Sequence, residues 1–152
     1  MKSRTKKDFV LVTNVENNKF YDVLKQKTGF DKDNRIKFVG TVYDQQLLKK
    51  IREEAYAYFH GHEVGGTNPS LLEALASTDV NLLVDVSFNR EVAEDSAMYW
   101  SKDDGELCKL IDKSDNMLDD YRAFLAQKST ERITDEFSWT KIISDYEKIL
   151  RV

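Results

Sequence analysis

Short apolar runs alternate with stretches of helical period along most of the chain, and this alternation limits the possible folds more than any other feature of the sequence. Phe9–Val12 reads as a buried strand, and behind it Phe20, Val23 and Leu24 fall on one helical face. Ile36–Val39 is the next strand, closed by Gly40. A helix from about Asp44 turns Leu47, Leu48, Ile51 and Ala55 inward. Ala57–Phe59 is a third strand, leading into the loop Gly61–Asn68, and a helix from Pro69 buries Leu71, Leu72 and Leu75. Val80–Val84 and Ala97–Trp100 supply two more strands. Strands joined by helix-length crossovers call for a parallel sheet covered on both faces. Right-handed crossovers make that sheet doubly wound, with ligands expected at the C-terminal ends of its strands.

From Asp104 onward the pattern is helical. Met117, Tyr121, Phe124 and Leu125 form one stripe; Trp139, Ile142, Ile143, Tyr146, Ile149 and Leu150 form another in the last helix. Both read as packing surface, part of the second being left to a partner. The polar stretch Gln127–Glu136 is the expected flexible spot. With 152 residues the chain suffices for one domain, 1–152, with a real core.

Composition removes several classes of function. Hydrophobic residues make up 41% and charged residues 33%, as in a globular chain. A formal charge of -4 argues against a nucleic-acid partner, because neutralising phosphates along a duplex needs a basic field. Cys108 is the only cysteine, so neither an internal disulfide nor a cysteine-based zinc site is expected. No apolar run approaches the roughly 20 residues that span a bilayer, so no membrane insertion is expected. No signal-peptide pattern follows the basic start, and the expected location is cytoplasmic.

The segment His60–Ala74 carries the chemistry. It joins a strand to a helix, where a doubly wound fold keeps its site. Gly65 and Gly66 allow positive φ and a close approach of backbone to a ligand. Asn68 suits an N-cap, and Pro69, the only proline, suits the first helical position. Free N–H groups at that helix start would face the loop and could hold a diphosphate. Glu73, about one turn in, could accept hydrogen bonds from the vicinal hydroxyls of a ribose. Spacing alone equally fits a glycine-containing turn before a capped helix.

The run Gly61-His62-Glu63-Val64-Gly65-Gly66-Thr67-Asn68-Pro69-Ser70-Leu71-Leu72-Glu73-Ala74 resembles the donor-site loop of retaining, two-Rossmann-domain (GT-B type) bacterial glycosyltransferases, and the rhamnosyltransferase-like branch in particular. Similar segments continue in order: Arg35–Gly40 with Thr41–Asp44, then Asn89–Val92, and Phe137–Trp139 opening the last helix. The resemblance implies a Rossmann-like half of a GT-B fold that binds a nucleotide sugar, dTDP- or UDP-linked, with dTDP-rhamnose as the implied donor and a polysaccharide or lipid-linked acceptor. By the same resemblance Glu73 binds the ribose, Gly65, Gly66, Thr67 and Asn68 hold the diphosphate and face the sugar, and Gly40, Val42 and Tyr43 border the base. Ser70 would cap backbone or touch phosphate, and His62 would contact the donor. No cofactor is implied.

Two departures qualify the resemblance. The wider family carries a second glutamate where Gly65 stands, and Glu63 is out of register with it. The rhamnosyltransferase-like branch shares the glycine. The chain also starts where the family's second strand would be, without the N-terminal Rossmann domain or the first βα unit. In relatives the C-terminal sheet runs 3-2-1-4-5-6, so the strand expected to be missing is central. Phe9–Val12 is therefore expected to pair directly with Ala55–Phe59, or to take a strand from another chain. Acceptor binding would need the missing domain or another chain, and transfer by this chain alone is not expected. The intact enzyme would lie peripheral to the membrane.

Other residues invite competing readings. His60 and His62 are the only histidines, too few for a metal site, and their spacing on an extended segment points them the same way. Ser70 lacks a nucleophile-elbow context. Asp85, Asn89, Arg90 and Glu91 follow a strand on the ligand side; Glu91 helps to start a short helix, with a donor contact as its alternative. A non-catalytic nucleotide-binding module, a nucleotide-sugar epimerase-type enzyme and a vestigial gene product remain rival readings.

Overall fold

The structure, a computed structural model, describes residues 2–16 and 18–150. By its internal contacts the chain divides into two compact units, Met1–Leu48 and Lys49–Val152. All strand pairs are parallel, and the strands alternate with helices.

In the first unit, β1 (Phe9–Leu11) pairs with β2 (Ile36–Phe38). Between them lie α1 (Lys19–Thr28) and a short 3-10 turn, Phe30–Lys32. Asn18 starts α1 by accepting the Tyr21 N–H on its side chain, and Gly29, in the left-handed region at φ 60°, ends it. The apolar face of α1 is turned out: Phe20 is 74% exposed, with Val23 and Leu24 also exposed. Tyr21 is the residue that packs, meeting Phe30 edge-on at 5.4 Å, and Phe30 in turn lies 5.7 Å from Phe38. Two three-residue strands offer little apolar surface for a whole helical face to cover. Arg35 fastens the N-terminal segment, donating to Ser3 O and Thr5 O while pairing with Asp33. That pairing holds the Asp33 carboxyl far below the usual carboxylate range.

α2 (Gln45–Glu53) starts where the Asp44 carboxylate accepts the Gln46 and Leu47 N–H groups. Leu48 and Ile51 are half-buried, whereas Leu47 is exposed and Ala55 lies beyond the helix end. The second unit then runs β3 (Tyr58–His60), α3 (Pro69–Leu75), β4 (Asn81–Val84), α4 (Ser87–Ala93), β5 (Met98–Trp100), α5 (Glu106–Asp115), α6 (Asp119–Glu136) and α7 (Trp139–Leu150). Its sheet order is β3-β4-β5.

β4 is buried along its whole length, as a central parallel strand should be. Successive side chains point to opposite faces, so Leu82 and Leu83 enter different cores. Leu83 joins Leu71, Leu75, Val92, Ala93 and Ala97; Leu82 joins Val80, Met98, Leu110 and Leu125. Helices therefore cover both faces, and the α/β, Rossmann-like fold class is as the sequence led us to expect.

Three details differ. The ladders among the described residues form two sheets, and β1 pairs only with β2; the pairing of Phe9–Val12 with Ala55–Phe59 is not among them. β1 satisfies its backbone locally instead, Phe9 N–H donating to Arg35 O and Leu11 O accepting from Val39 N–H. Gln127–Glu136 is not a flexible stretch but the C-terminal half of α6. Its polar side chains tie it down: fully buried Ser129 donates to Ser96 O, and Arg132 donates to Val92 O and Glu91 O. Finally, Trp139, Ile143, Tyr146, Ile149 and Leu150 of α7 are each more than half exposed, so most of that stripe is not packing surface. Tyr121 and Phe124 are partly exposed too and stack on each other, while Leu125 is fully buried. Among the described residues no helix is long and apolar enough to cross a membrane.

Candidate functional site

The site is built where β3, β4 and β5 end. β3 finishes at His60, whose side chain is only 1% exposed, and the chain then leaves the sheet through a loop, 61–67, exposed throughout. Three interactions fix the start of that loop. The ring of His62 stacks on His60, centroids 4.7 Å apart and planes 27° from parallel, as expected for positions two apart on extended chain. Asn89, fully buried, donates both hydrogens of its amide nitrogen, one to Val84 O at 3.0 Å and one to His62 O at 3.1 Å. Glu63 pairs with Lys102 from the segment after β5. Burial and the neighbouring charge of His62 push the His60 pKa down to about 4, so its ring stays neutral; the Tyr58 hydroxyl lies 3.3 Å from its Nδ1.

Gly65 sits at φ 132°, a conformation that side-chain-bearing residues rarely adopt. Asn68 caps α3 as expected, its side chain accepting from Ser70 N–H at 2.9 Å. The expected free N–H groups of the helix start are not free. Leu71 N–H and Leu72 N–H both donate to Asn68 O, Ser70 N–H is taken by the cap, and Pro69 has none. α3 is also only seven residues long, too short for a strong dipole. The loop itself holds the donors. Among the described residues none of the N–H groups of Gly65, Gly66, Thr67 and Asn68 is donated to a protein acceptor.

Glu73 is in α3, half of its side chain exposed, and its Oε2 is 2.8 Å from Arg52 Nη2. Ser70 is half-buried in the first turn. Glu91 is the fifth residue of α4, which begins at Ser87, so it does not start that helix. Asp85 and Arg90 pair with each other, and the Arg90 guanidinium lies 4.2 Å above the Tyr99 ring. Burial pushes the Tyr99 phenol up to about 12. Gly40, Val42 and Tyr43 belong to the first unit: Gly40 turns the chain at φ 76°, Val42 is half-buried, and Tyr43 is 83% exposed. Among the described residues no three His, Cys, Asp or Glu side chains gather as a metal site.

Sequence reasoning missed Arg52, Lys102 and the clamping role of Asn89. Asn89 stood in a segment that resembled the family, but no pattern links it to the carbonyl of His62. Arg52 and Lys102 are surface-type residues with no periodic signature.

No protein family matches the sequence, and no curated protein matches it. Among solved structures the chain is similar to an α,α-trehalose-phosphate synthase (UDP-forming) from Burkholderia vietnamiensis, with a TM-score of 0.70 at 13% identity. The likeness covers 93% of this chain and 36% of that one, so the chain spans little more than a third of the neighbour's length. At such identity the likeness carries the fold and not the activity. The fold so established is the Rossmann-like α/β half of a GT-B fold: the alternation of strands and helices led us to expect the doubly wound sheet, and the resemblance of the loop the GT-B half.

Proposed function

We propose that this chain binds a nucleotide sugar and serves as the donor-binding part of a glycosyltransferase. The observation that carries the reading is the loop 65–68, whose run of N–H groups has no acceptor among the described residues and leads directly into the helix that carries Glu73. Successive backbone donors of this kind make a concave anion site, and a carboxylate beside it suits the hydroxyls of a nucleoside sugar. Gly65, Gly66, Thr67 and Asn68 hold the diphosphate, Ser70 flanks it, Glu73 takes the free hydroxyl of the nucleoside sugar (the 3′-hydroxyl in dTDP, the vicinal pair in UDP) and His62 faces the donor sugar. The glycine-rich form of the loop favours dTDP-rhamnose over a UDP-linked donor. Sugar transfer also needs an acceptor site, which none of these residues supplies.

Calorimetry with UDP, dTDP and their sugar conjugates tests the proposal. Glu73→Ala is expected to weaken a nucleoside diphosphate by about 1.5–3 kcal/mol, the scale of charge-assisted hydrogen bonds. Glu63→Ala should change little, because Glu63 is engaged with Lys102. Equal losses for the two variants, or no heat with any nucleotide, would sink the assignment.

A further inference from the structure

Glu73 is held from behind. Its partner Arg52 is the better buried of the two, with 12% of its side chain exposed against 48% for Glu73. Exposed ion pairs contribute little, because ordering two long side chains costs about what the pairing returns. Arg52 differs in that its backbone is already anchored: Thr78, itself 2% exposed, donates its hydroxyl to Arg52 O at 2.9 Å. Tyr58, half-buried, feels both charges. The guanidinium is thus a rigid, partly dry fork aimed at one carboxylate oxygen, and it engages Oε2. Oε1 is the oxygen left to a ligand.

We propose that Arg52 is a positioning residue for nucleotide binding: by holding Oε2 it fixes the Glu73 rotamer that presents Oε1 to a hydroxyl of the nucleoside sugar. The inference rests on the reading that Glu73 binds that sugar. Arg52 touches no ligand and acts only through Glu73, which gives it a signature different from a residue that merely supports the fold. Its effect vanishes when either Glu73 or the sugar hydroxyls are removed.

The test is calorimetry with UDP and with 2′,3′-dideoxyuridine diphosphate on the full chain and its Arg52→Gln, Arg52→Lys, Glu73→Gln and doubly substituted forms, with thermal melts alongside. Arg52→Gln is expected to weaken UDP roughly five- to tenfold, the scale of one hydrogen bond to a charged group. Arg52→Lys should recover part of the loss, since lysine keeps the charge but not the fork. The double variant should bind UDP no more weakly than Glu73→Gln alone, and the dideoxy nucleotide should bind the wild type and both Arg52 variants alike. The proposal is overturned if Arg52→Gln binds UDP as well as or better than the wild type, if its loss adds to that of Glu73→Gln, or if the dideoxy nucleotide loses as much. Should Arg52→Gln fail to fold, the contrast between UDP and the dideoxy nucleotide on Arg52→Lys decides the matter. Should the wild type take dTDP and not UDP, dTDP and its 3′-deoxy analogue replace the uridine pair; a wild type that binds neither nucleotide, or a Glu73→Gln variant that binds unchanged, points instead to failure of the nucleotide-binding reading, and this inference falls with it.

Discussion

His60 and His62 lie face to face at the end of β3, one ring buried under the other, 4.7 Å between centroids. Only the outer ring can meet solvent or a ligand. The inner one is a neutral spacer, placed by the Tyr58 hydroxyl and by burial.

That arrangement makes stability depend on pH. The folded-state pKa of His60, about 4, is below the value near 6.5 of an unfolded chain, so the unfolded state binds the extra proton first. The contribution is fully present above pH about 6.5 and is lost as pH falls towards 4, to a total on the order of 3 kcal/mol. Carboxylates held down by ion pairs, such as Asp85 and Asp145, lose their contribution at lower pH still. Urea unfolding at pH 7, 6, 5 and 4 should therefore show a slope in the wild type that His60→Asn removes. The same slope in both proteins would contradict the assignment to His60.

Asn89 offers a second test. Both of its amide hydrogens are used, on the carbonyls of Val84 and His62, in a site without solvent. Asn89→Leu should cost about 1–3 kcal/mol, because two acceptors lose their donor. Asn89→Asp should cost more at pH 7, since it turns a carboxylate towards two carbonyl oxygens. The introduced carboxyl would have a raised folded pKa, so this deficit should shrink as pH falls towards the unfolded value near 4. Denaturant melts of the two variants at pH 5 and 7 check the order, and limited proteolysis within 61–68 checks whether the loop is released.

The fold was readable because strand runs and helical stripes differ in period, and all five expected strands form within a residue or two of their places. Periodicity names the face a helix would bury but not what covers it, which is why the α1 and α7 stripes were legible as stripes while their exposure was not. The site was legible through the loop, where Gly65 and the Asn68 cap have local backbone reasons to stand where they do. Its wiring was not. Arg52 reaches Glu73, and Asn89 reaches His62, across tertiary distances that no local pattern encodes. The helix-start donors were misread for a related reason. A good cap consumes the very N–H groups it was supposed to point at a ligand, and Asn68 accepts three of them through its side chain and carbonyl.

Gly65 separates the folding of the loop from the binding proposed for it. A Cβ there would meet no atom within 4 Å, so Gly65→Ala creates no clash. It does force an alanine towards φ 132°, and the strain of such a position is of order 1–3 kcal/mol. The loop is exposed and can relax, so melting should fall by no more than about 1 kcal/mol. Relaxation moves the neighbouring N–H groups, however, and a diphosphate needs all of them aimed at once. Nucleotide affinity should therefore drop further than stability does, by tenfold or more in order-of-magnitude terms. Gly66→Ala is the control: Gly66 has open space around a Cβ and is not among the positive-φ glycines, so its effect on both readouts should be small. Differential scanning calorimetry and nucleotide titration of the two variants decide the question. If Gly65→Ala and Gly66→Ala bind alike, the backbone of residue 65 is not what shapes the anion site.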